Sequence, residues 1–218
     1  MSASGAPSPS PPSPRPAPRD WEARYRAGDT PWDLGAAPAV LGTEAARLGP
    51  GAGRRLLVPG AGRGHDAVAW AVAGWQVTAV DIAPTACAHL RERACREGLA
   101  LDVLEGDVLA LPAPLAGVFD VAWEQTCLCA LEPAQRLPYV QALARALRPG
   151  GLLLALLWNH GQPGGPPHDL PPALARSLLA PWFDEEGLLA VEAAPGAPRQ
   201  HEYLLRLRRR THGDGPTA

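Results

Sequence analysis

Arg54-Arg-Leu-Leu-Val-Pro-Gly-Ala-Gly-Arg-Gly-His-Asp66 decides the reading of this chain. An apolar strand over 55–59 runs into three alternating glycines, Gly60, Gly62 and Gly64, and a helix-compatible stretch begins at once. Glycine tolerates the turn and adds no Cβ, so the backbone there can press against a bulky ligand. A second apolar run over 76–80 delivers Asp81 at its C-terminal tip. In nucleotide-binding α/β folds an acid at that place accepts hydrogen bonds from ribose hydroxyls. The two features together predict a site for an adenosine-type cofactor.

The glycine spacing bears on which cofactor. The dinucleotide fingerprint is G-x-G-x-x-G, with a helix N-terminus aimed at a pyrophosphate. Here the third glycine falls one residue early, and His65 stands where that fingerprint needs it. The G-x-G-x-G form is common among S-adenosylmethionine enzymes. On the loop alone, NAD and a purely structural glycine turn stay open beside it.

Working outward, a helix with Val68, Ala69, Val72 and Ala73 toward the sheet is expected to run to Gly74. A strand at 76–81, a helix from Pro84 to about Glu97, a strand at 101–104 and a strand at 118–123 follow. A helix over Pro133–Leu147 leads to a strand at 152–158. A helix near 171–180 and weaker strands near 188–193 and 201–209 complete the order. Strands alternating with helices predict a mostly parallel seven-stranded sheet, an α/β Rossmann-like architecture. Gly60, Asp81, Asp107 and Glu124 all fall at C-terminal strand ends, the edge where such sheets bind ligands.

The chain has 218 residues, enough for one full core, and a formal charge of −2. That balance gives no electrostatic argument for a nucleic-acid partner, and none is expected. Its basic residues are all arginine, and the run Arg206–Arg210 reads as the solvated end of a strand. Residues 1–18 are rich in Ser, Pro and Ala and are expected to be a disordered tail. Residues 19–210 form one expected domain and 211–218 a flexible end. No apolar run suits a signal peptide or a membrane span, so a cytoplasmic protein is expected, and a monomer. Cys87, Cys95, Cys127 and Cys129 have no zinc-ribbon spacing and are expected to be reduced thiols, with no metal site.

Six further stretches carry a resemblance. Trp21-Glu-Ala-Arg-Tyr25, Thr30-Pro-Trp-Asp33, Val58–Asp66, Cys129-Ala-Leu-Glu-Pro133, Leu147-Arg-Pro-Gly-Gly151 and Gly164-Gly-Pro-Pro167 occur in this order over about 21–170. In them the chain resembles the thiopurine S-methyltransferase family, in particular its branch of thiol and halide methyltransferases. The resemblance implies a class I methyltransferase fold with an N-terminal segment laid over S-adenosyl-L-methionine. It implies Trp21, Tyr25 and Trp32 around the cofactor, Gly60 and Gly62 at its amino-acid end, and Asp81 at its ribose. Asp107 and Val108 would border the adenine. Glu124 and Gln125 would lie between cofactor and acceptor, with Glu124 the candidate catalytic group. Thr126 and Cys127 stand where several members carry aromatics, which bears on the shape of the acceptor pocket.

The implied reaction is methyl transfer to a small soft nucleophile, a thiol, sulfide or halide. His160 and His168 flank the Gly-Gly-Pro-Pro segment, where a histidine could receive a proton. The competing readings are a non-catalytic adenosyl-binding module and an NAD-dependent oxidoreductase, the second disfavoured by the glycine spacing.

Overall fold

The computed structural model describes residues 20–193 and 196–211. The expected tail at 1–18 and nearly all of the expected flexible end at 211–218 lie outside the described residues. Seven strands form one sheet: β1 (Arg55–Pro59), β2 (Gln76–Asp81), β3 (Leu101–Glu105), β4 (Phe119–Gln125), β5 (Leu147–Trp158), β6 (Phe183–Ala190) and β7 (Glu202–Arg209). Their order is β3-β2-β1-β4-β5-β7-β6. β1 to β5 pair in parallel, and β7 enters antiparallel between β5 and β6. The chain starts at β1 and builds first toward β3, then returns to place β4 on the other side. The crevice between β1 and β4 is therefore the switch point, where open α/β sheets bind their ligands.

Period-two alternation splits the core between the two faces. Leu56, Val58, Val121, Trp123, Leu152, Leu154 and Leu156 pack on one side. Leu57, Ala122, Leu153, Ala155 and Leu157 pack on the other. The first face is covered by α2 (Ala39–Leu48) and α3 (His65–Val72), together with α4 (Pro84–Arg96). The second is covered by α5 (Pro133–Ala146) and α6 (Pro172–Leu179). A short helix α1 (Trp21–Ala27) opens the described chain, with Asp20 accepting the Ala23 N–H as its cap.

On the α3 face Trp70 meets Trp75 at 5.6 Å and Trp123 at 5.7 Å, both edge-on. Such pairs add about 0.5–1.5 kcal/mol each beyond area burial. The expected sheet face of α3 is thereby corrected. Ala67, Val68 and Trp70 turn inward, while Val72 is 70% exposed. A helix that begins at His65 has a phase set by the large Trp70, not by the small apolar residues near its end.

Three other boundaries move. β5 starts at Leu147, five residues before its expected start, because Leu147 already pairs with Phe119 and the Arg-Pro-Gly-Gly segment bulges before pairing resumes at Leu152. β6 covers 183–190 rather than 188–193, as an edge strand whose Asp184, Glu185 and Glu186 face water. Finally, α2 is a helix with no counterpart in the sequence reading. Its Glu44 is fully buried and accepts from Arg206 of β7 and from Arg47. The arginines of 206–210 are likewise engaged: Arg208 with Glu186, Arg209 with the Leu147 carbonyl and Arg210 with Asp184.

Candidate functional site

The loop after β1 is built for close approach. Gly60, Gly62 and Gly64 have φ of 59°, 54° and 78°, a region that side chains other than glycine rarely enter. A Cβ on Gly60 would stand 2.8 Å from the Cys127 Sγ, and one on Gly62 would stand 2.7 Å from the Tyr25 hydroxyl. One on Gly64 would collide with Leu90 of α4. Asp81 clasps this loop to the tip of β2: its Oδ2 accepts the Gly62 N–H at 2.7 Å and its Oδ1 the Ala83 N–H at 2.9 Å. Burial pushes the Asp81 carboxyl upward, opposed by these N–H groups and that of Ile82.

The N-terminal segment lies across the same crevice. Glu22 of α1 accepts from the Thr85 N–H at 2.9 Å and hydroxyl at 2.7 Å, which pins α1 to the start of α4. Asp33 meets His65 at 3.0 Å and Arg63 at 3.2 Å, pinning the next turn to the glycine loop. Arg199 donates to the Trp32 carbonyl at 2.5 Å. So held, Trp32 packs edge-on against Trp21 at 5.2 Å and Tyr25 at 5.7 Å, and its indole N–H donates to the Tyr25 hydroxyl.

The floor is the end of β4 and the turn beyond it. Thr126 there has φ of 58°, a strained value for a β-branched residue and one often found at functional sites. Its carbonyl accepts from the Cys129 thiol. Burial pushes the Cys129 thiol up to about 12 and the Cys127 thiol well above its usual range, so both are neutral walls. Glu124 lies beneath this floor. It accepts the Leu128 N–H at 2.7 Å, and burial raises its carboxyl to about 7.

These walls enclose a cleft of about 1470 Å³. Trp21, Tyr25, Trp32, Gly60, Gly62, Asp81, Asp107, Val108 and Gln125 all line it. Asp107 spends one oxygen on the Leu109 N–H at 2.8 Å. Glu124, His160 and His168 are not among the lining residues. Asp66, Arg199 and Glu202, to which the sequence reading gave no role, line the cleft too. Asp66 belongs to the opening motif and could have been suspected from it. Arg199 and Glu202 arrive with the last strand and carry no local signal. The lining has seven carboxylates (Asp29, Asp33, Asp66, Asp81, Asp107, Glu132 and Glu202) against three arginines (Arg24, Arg63 and Arg199), so its potential favours a cation.

A sulfonium cofactor fits these features. The cradle is glycine where a Cβ would intrude, the aromatic faces suit a cation, and the carboxylate excess offsets its charge. The sequence profile of the family described as thiopurine S-methyltransferase matches residues 17–204. The chain belongs to the thiopurine S-methyltransferase family. It is an S-adenosylmethionine-dependent methyltransferase with the class I fold. A probable thiol methyltransferase 2 of Arabidopsis thaliana is 33% identical over 196 residues, covering 85% of this chain and 83% of the relative. Thiocyanate methyltransferase 1 of the same plant is 31% identical, over 74% and 71%. Among solved structures, one described under the conversion of a disulfide bond into a thioacetal group during echinomycin biosynthesis superposes with a TM-score of 0.71. It is 26% identical and covers 84% of this chain and 87% of its own. Among the described residues no helix of this family member is long and apolar enough to cross a membrane.

Proposed function

We propose that this enzyme transfers the methyl group to a small thiol and works as a cytoplasmic monomer. The observation that carries the reading is one cleft that joins the glycine loop, the Asp81 clasp and the three-ring N-terminal wall. The thiol methyltransferase relative supports the acceptor class.

When bound, S-adenosylmethionine supplies a methyl already activated on a sulfonium, and the chain's task is alignment. Gly60 and Gly62 give it backbone contact without side-chain bulk. Asp81 turns the lone pairs its backbone donors leave free toward the ribose hydroxyls. Asp107 has one oxygen left for an exocyclic amine beside Val108. Trp21, Tyr25 and Trp32 exclude water, and an aromatic face near the sulfonium contributes about 0.5–2 kcal/mol. Gln125 and the strained Thr126 border the acceptor space. Glu124, the candidate catalytic group of the sequence reading, acts from below as a positioning residue by holding the Leu128 N–H and with it the 125–129 turn.

Near-attack alignment of two bound partners supplies about 7–11 kcal/mol of a barrier in well-oriented systems. Release of S-adenosylhomocysteine across methanethiol, hydrosulfide, iodide, thiocyanate and an aromatic thiol tests the reading. Turnover on a thiol supports it; cofactor binding without turnover on any acceptor favours the non-catalytic module.

A further inference from the structure

Along the acceptor side of the cleft lies a polar cluster around Asp66, a carboxylate to which the proposed function gives no step. Asp66, at the second position of α3, accepts the Trp123 indole N–H at 2.7 Å. The Gln125 amide, turned so that both ends are satisfied, donates to Asp66 and accepts from Arg199 at 3.2 Å. Arg199 is 7% exposed and stands 3.7 Å from Glu202 of β7, one of whose oxygens is buried without a hydrogen bond. Glu202 thus meets the guanidinium directly and Asp66 reaches it through the Gln125 amide, all four residues lining one side of the cleft. The charges of this cluster do not balance until one carboxylate takes up a proton. Of the two, Asp66 is fixed by the indole and the amide, yet keeps surface on the cleft.

We infer that Asp66 is the proton acceptor for a neutral thiol during methyl transfer, an assignment that rests on the function proposed above. The acceptor's S–H bond breaks toward an Asp66 oxygen while its sulfur lone pair forms the new bond to the methyl carbon. The pair of the broken sulfonium bond stays with the departing thioether sulfur. The sum is thiol plus sulfonium giving two thioethers and a proton, held on Asp66 until the cleft opens to water. Burial, against the pull of Arg199 and the Trp123 N–H, raises the Asp66 carboxyl to about 6. That is close to the working pH, where a general base is most useful. The ionisable groups facing it are Arg199 and Glu202 from the last strand and its approach, and Glu124 of β4.

The test compares the wild type with Asp66→Asn on methanethiol, whose proton must leave, and on thiocyanate, which has none to lose. Catalytic efficiency is expected to fall about 100-fold or more on methanethiol and at most about fivefold on thiocyanate. In the wild type, the methanethiol profile should level off above about pH 6, and not keep climbing through the alkaline range in which a simple alkyl thiol itself ionises. Carbon NMR of aspartate-labelled enzyme without cofactor gives a readout independent of turnover. One buried carboxyl should titrate near pH 6 and be missing from Asp66→Asn. Equal losses on both acceptors, or a methanethiol profile that keeps climbing through that alkaline range, overturn the inference while leaving the methyltransferase reading intact. If Asp66→Asn does not fold, the wild-type profile decides alone. A wild type that methylates neither acceptor nor any other overturns the reading and this assignment with it.

Discussion

The carboxylate of Asp81 accepts the backbone N–H of Gly62 at 2.7 Å across 19 residues of chain. The acid at the tip of one strand therefore shapes the glycine loop that follows its neighbour, as well as facing the cleft. Asp81→Asn loses an acceptor toward Gly62 or Ala83 and the charge offered to the ribose. Its affinity for S-adenosylmethionine should fall about 100-fold, which is ~2.7 kcal/mol. Isothermal calorimetry checks this, and unchanged affinity would remove Asp81 from the site.

Gly62→Ala and Gly98→Ala form a matched pair. Both glycines have positive φ, 54° and 65°, but a Cβ at Gly98 meets nothing within 4 Å while one at Gly62 meets the Tyr25 hydroxyl. Each substitution should cost about 1 kcal/mol through the backbone. Only Gly62→Ala should also weaken cofactor binding, by more than tenfold. Equal binding by the two variants would show that the glycine loop does not touch the cofactor.

Glu124→Gln should separate support from chemistry. The folded carboxyl stands near 7, above its unfolded value, so stability is lost as pH rises from about 4.3 to 7 and stays lost above that. Below about pH 4 both states are protonated and the cost is gone. Gln keeps the oxygen for the Leu128 N–H and cannot ionise. The variant should melt higher than the wild type at pH 8, by on the order of 3 kcal/mol, with little difference at about pH 4. Turnover should stay within about tenfold. A lower melting temperature at pH 8, or turnover lost by a thousandfold, would contradict the positioning role.

Glu44→Gln tests the tie between α2 and β7. Burial opposes the Glu44 charge, but Arg206 and Arg47 together hold its carboxyl below the usual range. Removing one partner of a buried pair costs about 3 kcal/mol. Because the folded value is depressed, that stability is present at neutral pH and is lost as pH falls through it. Thermal melts should show a large deficit at pH 7 that narrows toward pH 3. A deficit constant with pH would mean that packing, not charge, is what the substitution removes.

The α/β order was legible because parallel strands buried on both faces read as continuous apolar runs, such as Leu56–Pro59 and Leu152–Leu157. Edge strand β6 was misplaced because Asp184, Glu185 and Glu186 face water and erase the apolar pattern. Helix α2 was missed since Gly42 and a buried glutamate interrupt its apolar face. In the site, the residues that belong to contiguous motifs converge on the cleft as expected. Asp66, Arg199 and Glu202 form a cluster only through the folding of β7 beside β5, a long-range event with no trace in local sequence. Glu124 sits at the foreseen strand end but under the floor, since the turn at Thr126 lifts the next residues over it.

The central claim is methyl transfer in the cleft between β1 and β4. Its most direct test is S-adenosylhomocysteine release by the full chain with methanethiol, in parallel for the wild type and Asp81→Asn. The account predicts matched release of S-adenosylhomocysteine and dimethyl sulfide by the wild type, with a catalytic efficiency at least tenfold lower for Asp81→Asn. Release that is equal in the two proteins, or a wild type that does not bind S-adenosylmethionine at all, would contradict it.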